Sequence, residues 1–205
     1  VGQETSSGQA YDAFQKYLKA HKDIGILLNV ASKNEEENAL AGLNHQDCIL
    51  KPDDFVVIKA NWDPKNVNVA AIAEELNLGI DSLVFVDDNP AEREIISANL
   101  PTVSVPAIST VDKYIREIDR HGYFEVLKLS KDDLARNEMY KANVQRAQTL
   151  KSFANYGDYL LSLEMEAVIK PFEPLYEARI AQLTNKSNQF NLTTKRYTQS
   201  EIEEA

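Results

Sequence analysis

Short, almost continuous apolar runs, three of the four closed by a polar residue and each separated from the next by a helical pattern, constrain this chain more than any other feature. Ile24–Ala31 is interrupted only by Gly25 and Asn29, and Phe55–Ile58, Ser82–Val86 and Thr102–Val105 repeat the theme. A strand buried on both faces reads this way. Helical patterns lie between the runs. Ala10, Phe14, Tyr17 and Leu18 precede the first, and Val69, Ile72, Ala73 and Leu76 form one helix face with Gly79 as its stop. Asn34 with Glu37 reads as an N-cap and its capping-box acid. Asn89, Pro90 and Glu92 give the same signal for a later helix. Alternation of this kind predicts an α/β fold: a three-layer, doubly wound, Rossmann-type parallel sheet, with its ligand site along the edge where the strands end.

The pattern changes near residue 110. Val111–Arg120 reads as a helix. Ser130 and Asp133 open a long polar helix that runs to about Leu150. Tyr156–Leu163 and Tyr176–Leu183 are helical, and Glu166–Ile169 resembles a strand before Pro171 and Pro174. Three segments are therefore expected: an alternating α/β domain over 1–110, a helical connection over 111–151, and a further segment over 152–205.

Three run ends carry the chemistry. Ser32 follows the first, Lys59 the second, and Asp87 with Asp88 the third, at nearly equal spacing. Taken singly each has a plain explanation, as a turn serine, a solvated lysine or a capping acid. In this order they suit phosphate. A serine hydroxyl with the backbone amides of Lys33 and Asn34 at a helix N-terminus holds phosphate oxygens. A lysine neutralises the transferring group. Paired carboxylates bind Mg²⁺, which takes one or two carboxylates plus water and phosphate oxygens. A small phosphorylated metabolite is the expected substrate.

Composition excludes some partners. Acidic residues outnumber basic ones 32 to 22, for a net charge of −10, which argues against nucleic acid and anionic membranes. No apolar run is long enough to span a membrane. Cys48 is the single cysteine, so no internal disulfide forms, and a cytoplasmic setting is expected. His21, His45 and His121 lack metal-ligand spacing.

The order Ser, Lys, Asp-Asp differs from that of two-component receiver domains, where the acidic pair comes first. It resembles the second to fourth motifs of the HAD superfamily. The segments Gly25-Ile-Leu-Leu-Asn-Val-Ala-Ser-Lys-Asn34, Phe55-Val-Val-Ile-Lys-Ala-Asn-Trp62, Val84-Phe-Val-Asp-Asp-Asn-Pro-Ala-Glu-Arg93 and Asn188-Gln-Phe-Asn-Leu-Thr-Thr194 resemble its FkbH-like branch. That resemblance implies Mg²⁺-dependent phosphoryl transfer through an aspartyl-phosphate. It gives Ser32, Lys59 and Asp87 catalytic roles, with Ser32, Lys33, Asn34 and Lys59 around the phosphate. Asp88 would be the direct metal ligand and Asp87 a second ligand or hydrogen-bonding partner. Asn61 and Trp62 would shape the pocket. Some members load a glyceryl unit onto an acyl carrier protein, in polyketide pathways, and others accompany surface-polysaccharide genes. The segment from about Ser152 resembles the start of an acetyltransferase-like (GNAT-like) domain without its coenzyme A turn.

One motif is missing. The Asp-x-Asp-x-Thr that would carry the nucleophile and the acid/base aspartate occurs nowhere in the chain. Asp53-Asp54 precedes a strand and cannot replace it. The expected central strand would lie just upstream of Val1, supplied by the same or a separate polypeptide. Without it two inner strand edges lack partners, each unpaired buried group costing about 1–3 kcal/mol against a total stability of about 5–15 kcal/mol. Direct pairing of Ile26–Ala31 with Leu83–Val86 would contradict this. A non-catalytic binding module and an acyltransferase centred further along the polypeptide are the competing readings.

Overall fold

The structure is a computed structural model that describes residues 4–126, 129–186 and 195–204. Thr5 opens α1 (Ser6–Asp23), its hydroxyl accepting the Gly8 N–H at 3.0 Å. The chain then turns at Gly25, where φ is +95° and a Cβ would collide with the Asp133 carbonyl. Strand β1 (Asn29–Lys33) pairs in parallel with β2 (Val57–Asn61), Asn29 opposite Val57 and Lys33 opposite Asn61.

Both strands start later than their apolar runs. Ile24–Leu28 forms the approach to β1, its Ile26 N–H donating back to the His21 carbonyl. Phe55 closes a 3-10 turn over Pro52–Asp54, which delays β2 to Val57. Ser32 and Lys59 therefore lie inside strands, not beyond them. The Asn29 side chain serves the ladder, accepting the Val57 N–H at 3.1 Å.

Helix α2 covers Glu36–Asn44. Glu35 occupies its N-cap without a side-chain bond, so Asn34 does not cap it as expected. Helix α3 (Lys65–Glu75) is ended by Asn77 in the left-handed region at φ 52°, ahead of the expected stop at Gly79. Helix α4 (Pro90–Asn99) starts as predicted, with Asn89 accepting the Ala91 N–H and Pro90 in the first turn.

The expected three-layer doubly wound sheet is not present among the described residues. Leu83–Val86 and Thr102–Val105 meet through one parallel bridge, Val84 with Ser104. What forms is a mixed α/β arrangement, mostly helical, with a small parallel sheet. The reason is pairing: apolar runs become strands only where a neighbouring backbone supplies a ladder, and β1 has one on a single edge.

Two compact units divide the chain, Val1–Ala154 and Asn155–Ala205. The expected helical connection belongs to the first. A 3-10 turn over Val111–Lys113 leads into α5 (Tyr114–Asp119), and α6 (Lys131–Leu134) is followed by α7 (Arg136–Leu150) where one helix was expected. The Ser130–Asp133 capping box forms. Asn137 of α7 donates to the Lys22 and Ile26 carbonyls at 2.8 and 3.3 Å, and Val144 joins Val57, Ile72 and Leu76 in the core. A second cluster joins Val69, Phe85, Ile96 and Val103 against Ala31. A third joins Ile108, Tyr114 and Ile118 to Tyr11, Phe14 and Val86. Full burial of one such side chain contributes about 1.5–3 kcal/mol.

The second unit holds α8 (Tyr156–Ser162), α9 (Pro174–Lys186) and α10 (Gln199–Glu203). Glu166–Ile169 is not a strand; Val168 and Ile169 are almost wholly exposed and have no ladder partner among the described residues. Asn188–Thr194 lies outside the described residues. No described helix is long and apolar enough to cross a membrane.

Candidate functional site

Helix α3 joins two parts of the sheet edge. Its Val69 packs with Phe85 and Ala31, so one helix covers both β1 and the Leu83–Val86 segment. Its first turn places Lys65 against Asp87. These two side chains form an ion pair with 15% and 7% of their surface exposed. The other oxygen of Asp87 accepts the Asn89 N–H at 2.9 Å. Arg93 of α4 donates to the Asp87 and Asp88 carbonyls at 2.7 and 3.1 Å, fixing the turn. Asp88 itself is exposed.

Ser32 is half-buried in β1, opposite Ala60. Lys33 bonds Glu92 of α4 at 2.8 Å, linking the end of β1 to the turn after Asp88. Glu92 is buried, and its Oε2 has no partner among the described residues. Its carboxylate is thus spent on Lys33 and not on the capping box expected of it.

Lys59 goes elsewhere. Its ammonium meets Glu75 at 2.5 Å, at the last turn of α3, while Lys65 and Asp87 meet at the first. The helix rises about 1.5 Å per residue, so its length separates Lys59 from the acidic pair. The structure brings Asp87, Asp88, Lys33 and the end of β1 to one edge and does not bring Lys59 to Asp87. Lys65 belongs to no motif in the sequence and reads there as an ordinary first-turn residue. The available signal was electrostatic: a cation in the first helical turn opposes the macrodipole and calls for an anionic partner.

The loop from β2 to α3 is pinned. Asn61 and Asn68 exchange amide bonds at 3.2 and 2.7 Å, and Asn61 also accepts the Asp63 N–H at 3.0 Å. Trp62 stands out from this loop, its indole N–H on Glu35 at 2.5 Å.

Oxygen donors alone make the Asp87–Asp88 turn suitable for a hard cation. Among the described residues no group of three or more His, Cys, Asp or Glu could hold a metal. Mg²⁺ needs only one or two carboxylates, with water and substrate oxygens completing its shell, so the pair fits it. A cavity of about 260 Å³ lined by Gln15, Gly42, His45, Asp47 and Cys48 contains none of these residues.

Among the described residues, β1 and Leu83–Val86 share no backbone hydrogen bond. The Leu83 carbonyl and the Phe85 N–H both face Ser104. The N–H and carbonyl of Val84 consequently point the other way.

No family model matches the chain, and no curated protein does. A solved structure does: the N-terminal part of the protein BF1531 from Bacteroides fragilis, described as containing a phosphatase domain complexed with Mg. It is 36% identical, with a TM-score of 0.61 over 63% of this chain and 35% of that one. The chain therefore spans about a third of that structure's length.

Proposed function

We propose that this chain supplies most of the active site of a Mg²⁺-dependent phosphatase acting on a small phosphate monoester. The observation that carries it is the part-buried Lys65–Asp87 pair beside the exposed Asp88, at the edge where β1 ends. The likeness to a Mg-complexed phosphatase domain supports it. Asp88 and Asp87 would hold Mg²⁺, which when bound offsets charge on the phosphoryl oxygens. Ser32 and the backbone at Lys33 and Asn34 would take the remaining phosphate oxygens. Lys65 holds Asp87 in place, whereas Lys59 pairs with Glu75 at the other end of α3.

The aspartate nucleophile has a place in this proposal. A strand between β1 and Leu83–Val86 would satisfy the outward groups of Val84 and deliver a carboxylate to the same edge. Such a strand, carrying Asp-x-Asp-x-Thr, would come from another stretch of polypeptide. Its aspartate would attack phosphorus, the alcohol would leave with a proton from the acid/base aspartate, and water would then free inorganic phosphate.

The test is release of phosphate from p-nitrophenyl phosphate by the full-length protein, with Mg²⁺ and with chelator. Turnover that needs Mg²⁺ supports the proposal. Tight Mg²⁺-dependent binding of phosphate esters without turnover favours a binding module. Glyceryl transfer to an acyl carrier protein is the narrower form of the reading, and would appear as acylated carrier formed together with the phosphate released from the donor.

A further inference from the structure

Trp62 is the only tryptophan in the sequence, and 67% of it is exposed. Large aromatic side chains are mostly buried, so its position needs a reason. Looseness is not one. Asn68 is 3% exposed and its amide is doubly bonded to Asn61, the residue before Trp62. The indole N–H is already satisfied by Glu35. What Trp62 offers outward is therefore hydrocarbon ring surface on a fixed support.

Its location is equally specific. Asn61 lies opposite Lys33 and Ala60 opposite Ser32, so Trp62 begins just past the end of the strand pair. Three residues on, Lys65 meets Asp87. The indole meets Glu35, two residues past the end of β1, so the ring stands at the same edge as the Ser32–Asn34 part of the site proposed above. Glu35, which the indole touches, and Asp63, next to it in the chain, are both exposed carboxylates, which disfavour an anionic group there.

We infer that Trp62 is a specificity-determining residue for that site: its ring packs on the leaving group of the phosphate ester, and selects an uncharged, ring-bearing one. Such a ring presents a flat C–H or π face that indole covers well. A one- or two-carbon alcohol leaves most of the indole wet. This inference rests on the phosphatase reading.

The experiment compares phenyl phosphate with ethyl phosphate in the full-length protein carrying Trp62→Ala or Trp62→Phe. The preference for phenyl phosphate, as a ratio of kcat/KM values, should fall about tenfold in Trp62→Ala and recover in Trp62→Phe. Phenylphosphonate with Mg²⁺ should quench the Trp62 emission, taken as the difference between wild type and Trp62→Phe. An unchanged ratio with unchanged emission, in a protein that turns both esters over, overturns the role of Trp62 and leaves the phosphatase reading intact. Failure of the wild type to hydrolyse either ester overturns both.

Discussion

Lys65 and Asp87 form an ion pair that closes the first turn of α3 onto the turn leaving Leu83–Val86, with 15% and 7% of the two side chains exposed. Removing one member of a buried pair leaves an uncompensated charge, costing about 3–5 kcal/mol. Lys65→Met should lower stability by that order in urea unfolding. The double variant Lys65→Met with Asp87→Leu should recover most of the loss, because an apolar replacement of both partners strands no charge. Equal losses in both variants would show that the pair does not govern this contact.

Gly25 should not tolerate a side chain. Its φ of +95° and the Asp133 carbonyl beside it both exclude a Cβ. Gly25→Ala should cost more than about 1 kcal/mol, the strain of the backbone adding to the displacement of α6. Thermal unfolding reads this directly, and Gly42→Ala, where nothing lies near a Cβ, is the control expected to be neutral or mildly stabilising.

Acid should loosen α1 from the loop before β2. Burial pushes the Asp54 carboxyl up, but Lys22 at 2.6 Å, the Lys51 N–H at 2.9 Å and Lys19 at 3.3 Å together hold it below its ordinary value of 3.8. A lowered folded value stabilises above the unfolded one, and that contribution fades as pH falls through the folded value. Asp54→Asn should therefore cost about 1.5–3 kcal/mol at neutral pH and little in strong acid, by unfolding at a series of pH values.

Alkali should act through Tyr17. Burial first, then the charge of Asp119 and the hydrogen bond to it at 3.4 Å, push its phenol up to about 12. A raised value means the stabilisation is whole below pH 10 and disappears as pH rises through about 12. Phenolate absorbance of the folded protein should show a late-titrating tyrosine that Tyr17→Phe removes.

The local signals in the sequence were legible where they depended only on neighbours. Asn89-Pro90 starts α4 and Ser130 with Asp133 opens α6, because a cap is satisfied within three residues. Strand limits were not legible. The first half of Ile24–Ala31 is held as a turn by Asn137, more than a hundred residues away. Leu83–Val86 and Thr102–Val105 read as strands from apolarity alone, yet a ladder depends on a partner that apolarity does not specify. At the site, Asp87 and Asp88 were visible as a pair. The partnering of cations was not, since Lys59 turns to Glu75 and Lys65 takes Asp87 only once α3 is packed.

Phosphate release by the full-length protein at saturating Mg²⁺, wild type against Asp88→Ala, tests the proposed site most directly. Turnover should stop on chelation and fall by at least about 100-fold in Asp88→Ala, as expected when a group that organises transition-state charge is lost. Wild-type turnover in Asp88→Ala, or turnover indifferent to Mg²⁺, would contradict it.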